Sequence, residues 1–271
     1  MPRDLLTSQR PAGDGSAPPR REERLVVHLS DLQLGAPGTD ALGSLELLVE
    51  DLSREDGPGR RADAVIITGD LVHQGTAESY PMLAAALRCV ETRLAAPVLC
   101  ALGDHDDAIA AKAIPSLRAG SWTVHRLGPL RLVLLDSSSG RLGEAQLRWM
   151  RRRLATDAPW GSVVCLHHPP VATSLASPPP YPFPRNGAAD ALRAVVADAS
   201  AFTEALEGTD TRVVLAGHGR HALMGEVAGA GLLAAPSWAR QRQYVVVSMS
   251  SGCWSATVRT VGADRTIEPQ V

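Results

Sequence analysis

The sequence predicts an α/β protein in which buried strands alternate with helices. Short, unbroken apolar runs rich in Val, Ile and Leu recur along the chain, and such runs are typical of strands buried on both faces. Stretches in which apolar residues recur with helical spacing separate several of these runs. Strands that alternate with helices in this way form layered sheets covered by helices.

Five apolar runs are predicted strands, and each ends abruptly in polar or glycine-containing residues. In chain order they cover residues 25–29, 64–68, 97–102, 162–166 and 212–216. Four helices are predicted, at residues 42–52, 80–94, 143–154 and 188–206. The third helix is amphipathic, because apolar Leu147, Met150 and Leu154 recur beside a run of arginines.

Two stretches depart from the strand–helix alternation. Residues 122–126 and 130–135 flank Leu127-Gly128-Pro129, a pattern that predicts a hairpin. From Leu223 onward, short strands are predicted at residues 226–228, 231–234, 244–249 and 254–261. We expect these last strands to form a second sheet that packs against the first.

Composition predicts one soluble domain without membrane or nucleic-acid binding. A chain of 271 residues with 45% hydrophobic residues suits a single core over residues 24–271. Residues 1–23 are rich in Pro, Gly and charge, which predicts a disordered leader without the apolar segment of a secretory signal. No apolar run is long enough to span a bilayer, and the formal charge of -2 gives no signal for nucleic acid. We therefore expect a cytoplasmic protein, with oligomerisation left open.

Each of the five predicted strands delivers an Asp or a His at its carboxyl end. These side chains are Asp31, Asp70, Asp104, His167 and His218. Ligands of α/β sheets bind at the carboxyl ends of the strands, so we expect the five side chains to converge on one crevice. Carboxylate and imidazole donors together suit Mn, Fe, Zn or a related divalent metal.

The chain resembles the calcineurin-like metallophosphoesterases in five motif blocks that follow one another in the family's order. The family patterns are DxH, GDxx, GNH followed by an acid, an isolated H, and GHxH. The matching blocks here begin at Asp31 (Asp-Leu-Gln), Gly69 (Gly-Asp-Leu-Val), Gly103 (Gly-Asp-His-Asp), His167 (His-His-Pro) and Gly217 (Gly-His-Gly-Arg). Flanking residues, such as Leu135-Asp136-Ser137, are most similar to the class III cyclic-nucleotide phosphodiesterases. The resemblance covers residues 25–236 and implies a four-layer α/β/β/α sandwich of two mixed β-sheets.

The resemblance also implies roles for individual residues. Asp31, Gln33 and Asp70 occupy ligand positions of a first metal, and Asp70 would bridge to a second metal. The second metal would also be bound by Asp104, His167 and His218. His105 would protonate the leaving group or stabilise the charged transition state, with Asp106 orienting its ring. The implied reaction is hydrolysis of a phosphoester by a metal-activated water, with a phosphodiester or cyclic nucleotide preferred over a monoester.

Three ligand positions differ from the family pattern. Gln33 and Arg220 replace two histidines of the first metal, and Asp104 replaces an asparagine of the second. Because the second ligand set stays complete, we predict an asymmetric or mononuclear site with one or two divalent metals per chain. Arg220 is expected to grip phosphate in place of the first metal's charge, unless a one-residue shift brings in His221 instead.

His168 is expected to orient His167 or to contact the substrate, so Arg220, His168 and His221 are the predicted substrate-binding residues. The predicted partner is a small phosphorylated substrate. Two other functions remain open: a catalytically reduced module that binds a phosphorylated ligand or regulates, and a metalloenzyme of altered chemistry on the same fold.

Overall fold

The computed structural model of the protein describes residues 22–55, 57–171, 195–219, 222–251 and 253–261. Its strands are β1 (Glu23–Leu29), β2 (Ala64–Thr68), β3 (Val98–Ala101), β4 (Thr123–Leu127), β5 (Leu130–Leu134), β6 (Ser162–Cys165), β7 (Thr211–Gly219), β8 (Leu223–Val227), β9 (Ala230–Pro236), β10 (Gln243–Ser250) and β11 (Trp254–Thr260). The helices are α1 (Ala41–Ser53), α2 (Ser79–Leu94), α3 (Glu144–Leu154), α4 (Ala199–Leu206) and the single turn α5 (Trp238–Gln241).

The strands form two mixed sheets. Sheet A has five strands in the order β11-β10-β1-β2-β3, and sheet B has six strands in the order β4-β5-β6-β7-β9-β8. In sheet A, β1, β2 and β3 are parallel, while β10 and β11 run antiparallel to their neighbours. In sheet B, β5, β6, β7 and β9 are parallel, and the edge strands β4 and β8 are antiparallel.

Alternate residues of the buried strands point into different apolar layers, as the two-residue period of a strand requires. Val27 of β1 packs in a cluster with α1 and α2, whereas its neighbour Val26 packs in a cluster shared by the two sheets. In sheet B, Val164 of β6 faces α3 and α4, while Val163 faces sheet A. The order of layers is therefore helix, sheet A, sheet B, helix, which confirms the predicted α/β/β/α sandwich.

The distribution of strands between the sheets differs from the prediction. The C-terminal strands do not form a sheet of their own, because β8 and β9 join sheet B while β10 and β11 join sheet A. The five predicted buried strands are likewise divided, with β1 to β3 in one sheet and β6 and β7 in the other. β10 extends sheet A because its backbone pairs antiparallel with β1 over six residue pairs.

The predicted hairpin is confirmed, since β4 and β5 pair antiparallel around Gly128, whose φ of +62° suits a tight turn. The helix predicted over residues 188–206 is confirmed at residues 199–206 but begins later than predicted, because residues 195–198 form a bend and a turn. The Asp198 carboxylate there accepts hydrogen bonds from the backbone N–H groups of Leu142 and Gly143, and α4 starts only after this anchor. Residues 188–194 lie outside the described part.

The N-terminal leader prediction falls mainly on residues 1–21, which the structure does not describe, and β1 begins at Glu23. Within the described ranges, no helix is long and apolar enough to cross a bilayer. The cytoplasmic location stays a prediction.

Candidate metal centre

The predicted metal-site residues meet where the two sheets face each other. Asp31, Asp70 and Asp104 follow the carboxyl ends of β1, β2 and β3 in sheet A. His167 follows β6, and His218 lies near the end of β7, where the pairing with β9 shifts register. The side chains therefore converge as predicted, but from two facing sheets.

The first group of possible metal ligands surrounds the Asp104 carboxylate. Asp104 Oδ1 lies 3.2 Å from His167 Nε2, 3.3 Å from His218 Nδ1 and 3.6 Å from His168 Nε2. One ligand atom from each of these four residues lies within 4.8 Å of the others. Hydrogen bonds from His167 and His218 hold the pKa of Asp104 far below its usual range, so this group is a carboxylate at any working pH.

A second group joins Asp31 and Asp70 to the same histidine. The three residues are buried, their ligand atoms also lie within 4.8 Å of one another, and Asp70 Oδ1 is 3.4 Å from His167 Nε2. Burial raises the pKa of Asp31. Gln33 faces this group through its amide nitrogen, which donates to Asp70 Oδ2 at 3.4 Å, so its carbonyl oxygen is not the atom turned towards Asp70.

His167 is shared by both groups and its ring orientation is fixed. The fully buried imidazole places Nδ1 2.7 Å from the carbonyl oxygen of Thr68. A carbonyl only accepts, so Nδ1 carries a proton and Nε2 faces the carboxylates. Burial lowers the pKa of His167, but the carboxylates of Asp104, Asp70 and Asp31 outweigh it and raise the pKa to about 9.

The backbone around the site adopts a conformation that L-residues rarely use. Asp31, Gln33, Asp70 and His218 have φ values of 56°, 47°, 51° and 60°. Left-handed backbone at a non-glycine residue costs free energy and persists where the surrounding structure holds it, a situation that concentrates at functional sites. Here the backbone N–H of Asp31 donates to the Gly69 carbonyl, and that of Gln33 donates to the Asp70 carbonyl.

Two motif glycines allow the sheets to approach each other at the centre. A Cβ at Gly69 would lie 2.5 Å from His167 Nδ1, and a Cβ at Gly217 would collide with the Ser30 hydroxyl. The Ser30 hydroxyl lies within hydrogen-bond distance of the Asp31 carboxylate, at 2.6 Å. Any larger residue at either glycine would therefore push apart the segments that carry the site.

His105 lies beside Asp70 with one ring nitrogen tied back to the protein. Its Nδ1 is 2.8 Å from the backbone carbonyl of His73, and the two rings stack with centroids 5.5 Å apart. The hydrogen bond to His73 is the main cause that raises the pKa of His105. The other nitrogen, Nε2, lies 3.9 Å from Asp70 Oδ2 and belongs to a side chain that is 38% exposed.

Asp106 does not orient His105, so that prediction is wrong. Its carboxylate accepts hydrogen bonds from the backbone N–H groups of Leu71 and Gly103 and from the hydroxyl of Tyr80. Burial raises the pKa of Asp106 to about 6. The side chain thereby ties the loop after β2 to the loop after β3, and the His73 carbonyl takes the role that was expected of Asp106.

Ser137 is a site residue that sequence reasoning missed. Its hydroxyl oxygen accepts the backbone N–H groups of His167 and His168 at 3.2 Å and 3.0 Å and lies 3.3 Å from His168 Nδ1. Burial, with repulsion from His167 and His218, lowers the pKa of His168 to about 4. The Leu135-Asp136-Ser137 context was visible in the sequence, but a serine motif alone does not reveal which groups its hydroxyl contacts.

Arg220 and His221 lie outside the described residues, so their predicted roles stay predictions. The described donors fit a divalent metal. They combine imidazole nitrogens with carboxylate oxygens, the ligand types that suit Mn, Fe and Zn. Of these, His167 is oriented by a backbone carbonyl behind it, as metal-binding histidines usually are.

Comparisons with known proteins find a matching family model, similar relatives and a similar fold. The family model of the calcineurin-like phosphoesterases matches residues 24–219. A probable cyclic nucleotide phosphodiesterase of Rhodococcus erythropolis is 34% identical over 223 residues, which cover 77% of this chain and 69% of that protein. A cAMP/cGMP dual specificity phosphodiesterase of Mycobacterium tuberculosis is 30% identical over 210 residues, which cover 73% of this chain and 62% of that protein. The solved structure of PhoD is similar in fold alone, with a TM-score of 0.54 at 11% identity over 91% of this chain and 68% of that one.

Proposed function

Because the chain belongs to the calcineurin-like phosphoesterase family, we propose that it is a metal-dependent phosphodiesterase with cyclic nucleotides as the first substrates to test. The family predicted from the five motif blocks is confirmed by the match over residues 24–219. Cyclic nucleotides are suggested by the two relatives at 34% and 30% identity, each of which is named as a phosphodiesterase of such substrates. The chain spans 69% and 62% of those relatives' lengths, so its substrate remains a proposal.

The observation that carries this proposal is the cluster of Asp104, His167 and His218 with Asp70 beside it. These residues would hold one divalent metal. When bound, such a metal lowers the pKa of a water that it binds, which makes this water a nucleophile near neutral pH, and it stabilises negative charge on a phosphoryl group. The Asp104 carboxylate stays ionised and supplies more negative charge than the asparagine of the family pattern would.

The same cluster supports an asymmetric site. His167 directs a single lone pair into the centre, since its other nitrogen donates to Thr68, and one lone pair binds one ion. If the first group uses that lone pair, a second ion is left with Asp31, Asp70 and Gln33. Gln33 stands here in place of a histidine and offers at most a neutral carbonyl oxygen, so the second ion would be held weakly.

His105 is proposed to protonate the leaving oxygen. Its Nδ1–H donates to the His73 carbonyl, so Nε2 is the ring atom that remains for the substrate. The same hydrogen bond raises the pKa of His105, which increases the fraction of the cationic ring that carries a proton on Nε2. A general acid whose pKa lies nearer to the working pH transfers its proton more efficiently.

Metal content and turnover of purified protein test the proposal together. We expect about one tightly held Mn, Fe or Zn per chain, and hydrolysis of cyclic nucleotides and of bis(p-nitrophenyl) phosphate. His105→Ala should slow cyclic-nucleotide hydrolysis far more than release of nitrophenolate, which needs no proton, while metal content stays unchanged. His125→Ala, in β4 and away from the centre, is the matched control.

Arg220→His extends the test to the substituted first site. Arg220 cannot bind a metal because its guanidinium stays protonated, so a histidine at this position should raise bound metal towards two per chain. Metal-loaded protein that hydrolyses no phosphodiester would overturn the proposed activity. It would favour the second candidate, a phospho-ligand-binding module, which the replacement of a histidine by Gln33 at a ligand position also favours.

A further inference from the structure

Two adjacent histidines, His167 and His168, face the centre with rings that are nearly perpendicular, at 87°. We propose that they carry opposite tautomers: His167 offers a lone pair to the metal, whereas Ser137 holds His168 with its proton on Nε2 as a hydrogen-bond donor for a phosphate oxygen. His168 is thus a substrate-binding residue beside the metal, although its Nε2 lies close enough to be taken for a ligand. The phosphate part of the inference rests on the proposed function, while the contacts that set each ring's donor and acceptor nitrogens follow from the protein alone.

The Ser137 hydroxyl determines the tautomer of His168. Ser137 is fully buried, and its oxygen accepts the backbone N–H groups of His167 and His168. These two bonds use both lone pairs of the hydroxyl oxygen. A buried hydroxyl proton needs an acceptor, and among the described residues the group in reach is His168 Nδ1, at 3.3 Å. Because Nδ1 accepts, the neutral His168 ring carries its proton on Nε2.

His167 is held the opposite way by an equally simple contact. Its Nδ1 lies 2.7 Å from the Thr68 carbonyl, which has no proton to give, so Nδ1 donates and Nε2 is the atom that offers a lone pair once a metal has displaced its proton. A lone pair binds a metal ion, whereas an N–H group binds an anion. The Ser137 hydroxyl therefore makes His168 a hydrogen-bond donor to the centre, whereas the Thr68 carbonyl makes His167 a metal ligand.

The Nε2–H group of His168 points at the centre without a protein acceptor. Asp104 Oδ1 lies 3.6 Å away, beyond hydrogen-bond distance, and the hydrogen bonds of His168 within the described part of the chain run through its backbone N–H and Nδ1 instead. The ring packs 4.5 Å from that of His218 and is 5% exposed, so it has little freedom to turn elsewhere. An anionic oxygen entering beside the metal ligands would meet this donor, and a phosphoryl group supplies such an oxygen.

Nitrogen-15 NMR of the zinc-loaded wild-type protein tests the tautomers without any variant. We expect His168 to show a protonated Nε2 and a pyridine-like Nδ1, and His167 to show a protonated Nδ1 and a metal-bound Nε2. A metal-bound or unprotonated Nε2 in His168 would overturn the inference. Ser137→Ala removes the hydroxyl, so the His168 ring should lose its single tautomer. An unchanged His168 spectrum in that variant would refute the role of Ser137.

Phosphate affinity and metal content test the task of His168. His168→Leu should leave metal content unchanged and weaken binding of inorganic phosphate, measured by calorimetry, by tenfold or more, about the effect of one hydrogen bond to a charged group. His168→Gln keeps an N–H donor and should recover part of that affinity. Metal lost from both variants would make His168 a ligand and overturn the inference. These readouts hold even if no phosphodiester is hydrolysed, so failure of the proposed function and failure of this inference are distinguishable.

Discussion

Metal binding should depend on pH because His167 holds a proton in the metal-free protein. Its pKa is raised to about 9, since the carboxylates of Asp104, Asp70 and Asp31 outweigh the effect of burial. A metal that takes Nε2 has to displace that proton, because one lone pair cannot serve both. Below the pKa the proton competes, so apparent affinity falls as the pH falls.

The size of the effect follows from the distance between the pKa and the working pH. Near pH 7 the His167 pKa of about 9 lies about two units higher, and each unit corresponds to about 1.36 kcal/mol. Displacing the proton therefore costs about 2.7 kcal/mol near neutral pH. Apparent metal affinity should rise about tenfold for each pH unit up to the pKa of His167 and level off above it. Asp104 adds nothing to this slope, since its pKa lies far below the range.

Isothermal titration calorimetry with Mn2+ measures both the slope and the protons released. Titrations in buffers of different ionisation heat should count about one proton from His167 per metal near neutral pH. Asp104→Asn removes the first of the groups that raise the His167 pKa, so its affinity should level off at a lower pH than that of wild type. His125→Gln, a substitution in β4, should behave as wild type. An affinity that is flat or falls between neutral pH and the pKa, or an affinity that levels off at the same pH in Asp104→Asn, would refute this reasoning.

Three further predictions concern stability, each measured by urea unfolding of the metal-free protein. Burial lowers the pKa of His28 to about 3 from 6.5, so between these two pH values the unfolded chain binds a proton that the folded protein excludes. The free energy of unfolding of wild type should therefore fall by about 2 kcal/mol from neutral pH to about pH 5, and that of His28→Gln should fall by less. Gly217→Ala should cost about 1–3 kcal/mol, because the new methyl group collides with Ser30, and an unchanged midpoint would show that the segments can yield. Arg131→Met should lower the free energy of unfolding by about 2 kcal/mol, because Asp210 loses its ion-pair partner. Adding Asp210→Asn to Arg131→Met should restore part of that free energy, and equal destabilisation of the single and double variants would contradict the pairing.

The sequence was enough to predict the fold class and the convergence of the site because both depend on local pattern. Runs such as residues 64–68 have no alternation, so they had to be buried on both faces, and their carboxyl ends had to lie along sheet edges. The same argument brought Asp70 and His167 together although 97 positions separate them in the sequence. The order of the five motif blocks in the sequence then indicated the family, and the family resemblance predicted the four layers.

Pairing between distant strands could not be predicted in this way. β10 has the composition of a strand for either sheet, and its choice of β1 as neighbour depends on packing over the whole chain. The hydrogen-bond partner of His105 could not be predicted either, because it is the backbone carbonyl of His73, and every residue has a backbone carbonyl. Asp106 was the plausible side chain nearby, but the turn after β3 points it back towards Leu71 and Gly103.

The division of the site between two sheets has a consequence for how the protein is made. The ribosome releases β1 to β3 first, together with Asp31, Asp70 and Asp104, which follow them. His167 and His218 emerge only later, with β6 and β7. A growing chain therefore carries the three carboxylates without His167 and His218, the imidazole ligands proposed for the metal, until most of the domain has been synthesised. We expect ribosome-bound chains that stop before residue 167 to retain no metal after desalting, and full-length chains to retain it. The ion would then bind late, after the strands of both sheets that carry its ligands have been synthesised.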